Sequence, residues 1–204
     1  MNFLSVAWVP DDDEERDWSV AAGVATAWVD ARCSEEGAMG VLVTNTLDYL
    51  GVPELNDFER RHTRASRLGK ADRAGRGTGP VLAYVPQADD LHFAMGLARS
   101  SSLAVIEGRL FPLRGWAAWF EAINLVTEQT TPPFSPHTRK AIERLAFHGN
   151  NGYGDPFGKQ QALSILTELR SMGDADDELV VSAVLAAGVR PRGVKNLQRL
   201  MEKL

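Results

Sequence analysis

The sequence predicts an α/β fold: a mostly parallel sheet of about four strands with flanking helices, then a small all-α C-terminal helical bundle. Three observations carry this. Short runs of Val, Leu and Ile recur without polar alternation, the pattern of strands buried on both faces. Helical periodicities lie between those runs, and alternating strand and helix build parallel sheets. After a Pro/Thr-rich break, no strand pattern returns.

The strand-like runs are FLSVAWV at 3–9, MGVLVT at 39–44, VLAYV at 81–85 and LAVI at 103–106. Between them, residues 18–32 repeat apolar positions at Val20, Val24, Ala27 and Trp28. A helix over 53–66 opens on a proline suited to a first turn. A helix over 88–99 carries Leu91, Met95 and Ala98 at helical spacing. Residues 112–126 read as one more helix, with Trp116, Phe120 and Ile123 forming an aromatic-rich stripe beside Trp119. The stretch TEQTTPPFSP then holds three prolines and three threonines in ten residues, a linker composition. The resulting domains are 1–127 (α/β), 128–136 (linker) and 137–204 (helical).

Beyond the linker, Ser135-Pro136 and Asp155-Pro156 read as cap and first helical residue. Asn150, Asn151 and Gly152 are expected to supply left-handed turn conformations between those helices. Asp176, Asp177 and Glu178 place carboxylates where a helix dipole favours them. Gly188 ends that helix. A last helix from Pro191 aligns Val194, Leu197, Met201 and Leu204 on one side.

The chain has 204 residues, 44% hydrophobic and 24% charged, which excludes the low-hydrophobicity disordered class. One cysteine, Cys33, excludes an internal disulfide and an all-cysteine zinc site. No apolar run nears the roughly 20 residues a membrane span needs. The apolar start stops at Asp11, too early for a signal peptide, so a cytoplasmic protein with no membrane partner is expected.

Charge is unevenly placed. The net charge is −5, yet residues 60–76 hold seven bases against one acid, and residues 188–204 hold five against one. Residues 11–17 are the acidic counterpart, six acids against one base. Arginine outnumbers lysine 17 to 5, which favours planar, bidentate anion contacts. Clustered bases make a local positive field that attracts phosphates. The candidate nucleic-acid-binding residues are therefore Arg60, Arg61, Arg64, Arg67, Lys70, Arg73 and Arg76, running into a glycine-rich loop, and Arg190, Arg192, Lys195 and Arg199 in the last helix. Residues 178–204 also have the outline of a helix-turn-helix, whose second helix can enter the major groove.

Two other classes are open to this sequence. Acids at strand ends (Asp11, Asp89 and Glu107, near Thr44 and Asn45) could hold Mg²⁺ against a phosphate-containing substrate, a nuclease-like enzyme at the carboxyl ends of the strands. Glu107, between an apolar strand and Gly108, is the hardest of these to explain as an ordinary surface acid. Alternatively the Trp116/Trp119 helix or the C-terminal helices could mate with another subunit, a homo-oligomer included. Several familiar signals fail. Gly75 to Gly79 precedes a strand instead of following one, so it is not a dinucleotide loop. Gly158-Lys159 lacks both the leading glycine and the hydroxyl residue of a phosphate loop. His62, His92, His137 and His148 show no metal-ligand spacing. Ser100 to Ser102 lie outside any nucleophile-elbow frame. No sequence feature names a reaction or a cofactor.

Overall fold

The computed structural model describes residues 2–44, 51–67, 79–173 and 176–204. The chain is α/β; the described residues form a seven-stranded, mostly parallel sheet and eight α-helices. The strands are β1 (Val6–Val9), β2 (Val41–Thr44), β3 (Thr63–Ala65), β4 (Val81–Tyr84), β5 (Leu103–Ile106), β6 (Ile123–Asn124) and β7 (Gln129–Thr130), in the order β3-β2-β4-β5-β1-β6-β7. Among these strands β6 and β7 pair antiparallel and the other neighbours pair parallel. The four strands expected from apolar runs are β1, β2, β4 and β5. They form the centre of the sheet in one register, with Leu42, Leu82, Ala104 and Ala7 in one row and Thr44, Tyr84, Ile106 and Val9 two residues on.

The sheet has seven strands where about four were expected, and each extra strand has a local cause. β3 lies inside the segment read as the end of a helix. That helix, α2 (Pro53–Arg61), stops at His62, whose backbone is extended. β6 lies where the aromatic stripe predicted continued helix. The helix there, α4, spans only Arg114–Phe120, because Glu121 takes a left-handed conformation (φ 53°) that closes it. β7 occupies the start of the segment read as linker and pairs back on β6.

Two compact units emerge: residues 1–111 with 122–130, and residues 112–121 with 131–204. In the first, α1 (Trp18–Glu36) and α2 pack on the sheet face that carries Val9, Leu42, Leu82, Ala104 and Ile106. α1 presents Ala21, Ala22, Ala25, Val29 and Cys33 to that face, and α2 presents Leu55 and Phe58. Asp17 caps α1 by accepting the Ser19 N–H at 2.9 Å. Gly37, at φ 61°, closes the helix without a Cβ penalty. α3 (Ala88–Leu97) contacts β4 and β2, and right-handed crossovers assign it to the opposite face. Burial pushes the Cys33 thiol up to about 11, with the carboxylates of Asp30 and Glu36 adding to the effect, so this cysteine is an inert core residue.

The second unit contains α4, α5 (Pro136–His148), a 3-10 turn (Gly149–Asn151), α6 (Pro156–Met172), α7 (Asp177–Ala186) and α8 (Pro191–Met201). The caps expected at Ser135 and Asp155 are present, and Asp176, expected in the first turn, is instead the cap of α7. Ser135, Asp155 and Asp176 accept the N–H groups of Thr138, Gly158 and Leu179 at 3.1, 2.7 and 2.7 Å. The left-handed positions after α5 belong to Gly152 (φ 69°) and Tyr153 (φ 54°), not to Asn150 and Asn151, which lie in the 3-10 turn. Tyr153 holds that conformation because its ring is buried and its hydroxyl donates to the Leu145 carbonyl at 2.9 Å. Trp116, at the heart of the predicted stripe, is fully buried, and Trp119 lies under the Arg139 guanidinium at 4.5 Å. α4 and α7 approach so closely that a Cβ on Gly115 would fall 1.8 Å from the Leu179 carbonyl oxygen. Among the described residues, no helix is long and apolar enough to cross a membrane.

Candidate functional site

The two basic segments meet different surroundings. At the end of α2, Arg60 donates to Asp57 Oδ1 at 2.8 Å. Arg61 reaches Asp30 Oδ2 on α1 at 2.8 Å and the Asp57 carbonyl at 3.1 Å. Arg64, on β3, lies 3.7 Å from Glu59 Oε1, and Arg67 lies 3.8 Å from Asp90 Oδ1. Each of these four arginines therefore has a carboxylate beside it. Lys70, Arg73 and Arg76 lie outside the described residues.

Asp30 also anchors His62, whose Nε2 lies 2.6 Å from Asp30 Oδ1. The other ring nitrogen, Nδ1, accepts the Gly40 N–H at 3.0 Å, which leaves the ring hydrogen on Nε2 to be donated to Asp30. Phe58 packs on the same ring at 4.4 Å. One carboxylate on α1 thus ties down both the last turn of α2 and the residue that precedes β3.

In the second unit, α7 leads through a four-residue turn, Ala187 to Arg190, into α8. Gly188 sits at φ 107°, a conformation that strains any residue with a Cβ. Val189, Val194 and Leu197 are buried, which fixes how α8 turns its sides. Arg192, Lys195 and Arg199 recur at helical spacing on the exposed side, and Arg190, also exposed, precedes them at the N-cap. Arg199 donates to Asn196 Oδ1 at 3.3 Å. Among the described residues Arg190, Arg192 and Arg199 enter no ion pair.

The carboxyl ends of the strands form a second candidate. After β1 the chain crosses toward β2, and after β5 it crosses β1 to reach β6. The two connections leave in opposite directions, and open α/β sheets bind ligands outside the carboxyl ends of their strands. A shallow depression, open to solvent, lies there, lined by Pro10, Asp11, Arg16, Trp18, Ile106 and Glu107 among others.

Glu107 is only 8% exposed, and its Oε2 accepts the Asp11 N–H at 2.9 Å. Trp18, 39% exposed, meets Tyr84 edge-on at 6.0 Å. Burial holds the Tyr84 hydroxyl above its ordinary range. The Arg16 guanidinium is held by Asp12 at 2.8 Å and by the Pro10 carbonyl. The backbone here is strained. Val85 takes φ 46°, rare for a β-branched residue, and a Cβ on Gly108 would fall 2.1 Å from Val85 Cγ1.

The expected carboxylate trio does not assemble. Among the described residues, no three His, Cys, Asp or Glu side chains come together as a metal-holding group. Asp11 approaches Glu107 through its backbone N–H, and Asp89 lies in the first turn of α3 with Asp90. Burial raises the Asp90 carboxyl against the opposing pull of the Gln87 N–H and Arg67. Thr44 is buried at the end of β2, and Asn45 lies outside the described residues.

The sequence reading missed Trp18 and Tyr84 as strand-end neighbours. It also missed two aromatic rings of the second unit that stand in solvent, Phe147 at 72% and Phe157 at 63% exposure. No family model, curated protein or solved structure matches the chain.

Proposed function

We propose that the protein binds nucleic acid through α8, with the turn before it as the docking corner. The observation that carries this reading is the row Arg192, Lys195 and Arg199, exposed on one side of a helix whose other side is buried, with the exposed Arg190 at its N-cap. The helix-turn-helix outline, with a positive-φ glycine at the turn, is the arrangement that can present a second helix to a groove. The cations at 60–67 have a lesser part in it, because each already has a carboxylate beside it.

The test is fluorescence anisotropy with labelled single- and double-stranded oligonucleotides at about 50 and 200 mM salt. Affinity should fall steeply between the two salt concentrations. The R192E/K195E/R199E variant should lose binding. Equal affinity for the variant and the parent chain would sink the reading.

One observation favours a second reading, an enzyme acting on a phosphate-containing substrate. A buried carboxylate, Glu107, lines a depression at the carboxyl ends of β1 and β5, and the next residue, Gly108, packs tightly on Val85, whose backbone is strained. Strained backbone of this kind concentrates at functional sites. Glu107 would accept a substrate hydroxyl or act as general base, with Trp18 forming an apolar wall. Calorimetric titration of nucleoside and sugar phosphates against the parent chain and Glu107→Gln tests it. Identical heats in the two proteins would discard it.

A further inference from the structure

Phe147 lies in the last turn of α5 and Phe157 in the first turn of α6, and the ring of His148 lies between them. The Phe147–His148 and His148–Phe157 centroids are 5.3 and 6.0 Å apart, both in edge-on geometry. Two phenylalanines more than 60% exposed, linked through a third ring, contribute almost nothing to a core. A contiguous apolar patch rimmed by polar groups marks an interaction surface.

Its place in the fold says what it faces. The 3-10 turn directly after His148 packs on the turn and first residues of α8. A Cβ on Gly149 would lie 2.9 Å from Val189 Cγ2, and the Gly152 carbonyl accepts from Asn196 Nδ2 at 2.8 Å. The exposed rings and the N-terminal half of the basic helix therefore belong to one end of this unit. Cations alone would suit any polyanion. Cations beside exposed π-faces suit a polyanion that carries its own flat rings.

We propose that Phe147 and Phe157 stack the unpaired bases of a single strand whose phosphates follow Arg190, Arg192 and Arg199. This rests on the nucleic-acid reading of α8 and narrows it from nucleic acid in general to single strands or unpaired loops. Duplex bases are stacked on one another and offer the rings no face. Base–aromatic stacking tolerates any sequence and is worth about tenfold in affinity per ring.

The test uses the full chain, a labelled oligo-dT and a duplex of equal length, with F147A/F157A, F147W/F157W and R192E/K195E/R199E. The double alanine variant should lose about 100-fold in single-strand affinity, the product of two rings, and leave duplex affinity unchanged. The tryptophan variant should restore the single-strand preference. Thermal melts should match the parent, since neither ring is buried.

If the alanine variant binds both forms as the parent does while the α8 variant binds neither, the stacking proposal is overturned and the α8 reading stands. If the parent binds neither form, both fall. If the alanine variant loses a concentration-dependent oligomer with single-strand affinity intact, the patch is a contact between copies and stacking is again overturned.

Discussion

Residues 60–67 and 190–199 each carry four cations, and nothing in their composition separates them. The fold separates them. In the first segment, carboxylates from α1, α2 and α3 lie beside Arg61, Arg60 and Arg67. In the second, Arg190, Arg192 and Arg199 enter no ion pair among the described residues, and burial of Val194 and Leu197 turns the row outward. A cation's reach toward an outside anion depends on what the chain has already brought to it. Runs counted along a sequence cannot register a partner 31 residues away, which is the separation of Asp30 and Arg61.

The contrast can be broken most directly by neutralising each set. Replacing Arg190, Arg192 and Arg199 by glutamine should lower oligonucleotide affinity by about 100-fold and reduce the salt slope by about 3, one unit for each phosphate contact. Replacing Arg60, Arg61 and Arg64 by glutamine should change affinity less than about threefold, the scale of a screened, already paired surface charge. Equal losses in the two variants, read by anisotropy, would erase the distinction.

Stability should respond in the opposite sense. Asp30→Ala strips the acceptor from both Arg61 and the Nε2–H of His62. About 1–2 kcal/mol of unfolding free energy should be lost in urea titration, the usual cost of stranding a half-buried donor. Arg199→Ala should cost less than about 0.5 kcal/mol, as expected for an exposed side chain with one long hydrogen bond.

A smaller effect sharpens the argument by unmasking. D57N/E59Q leaves Arg60 and Arg64 without their neighbouring carboxylates. If pairing is what silences the segment, affinity for a polyanion should rise about two- to threefold at low salt, roughly the worth of one or two weak surface ion pairs. No gain at all would mean the segment is inactive for another reason.

The smallest expected effect concerns Asp90 beside Arg67. Burial raises this carboxyl above its ordinary value of 3.8. A carboxyl raised in the folded state adds stability while protonated, below its unfolded value, and that contribution disappears as pH climbs through the raised value. The melting temperature of the parent should therefore fall relative to Asp90→Asn across the interval just above the ordinary carboxylate range. Parallel pH profiles for the two proteins would show that Arg67 fully offsets the burial.

The central sheet was legible because β2, β4 and β5 are buried on both faces, so each reads as an uninterrupted apolar run. β3 was not legible. Thr63-Arg64-Ala65 buries only Ala65, and an edge strand with one buried position has no alternation to detect. Ile123 continued the spacing of Trp116 and Phe120, yet the left-handed Glu121 sends it into β6, and no pattern of apolar residues announces a left-handed glutamate.

At the strand ends, Glu107 stood out because an acid directly after an apolar strand is unusual. The Trp18–Tyr84 contact could not stand out, since it joins residues from two elements that only the sheet order brings together. Phe147 and Phe157 were silent for the opposite reason: a phenylalanine in a helix reads as core until its surroundings are known.

The interleaving of the two units has a consequence for synthesis. α4 is made in the middle of the first unit's sequence but belongs to the second, where it packs against α7. The first residue of α7 is added 57 residues after the last of α4. At translation rates of about 5–20 residues per second, Trp116 waits some 3 to 11 seconds for that partner. During that interval the emerging chain displays an indole ring that the finished unit buries completely.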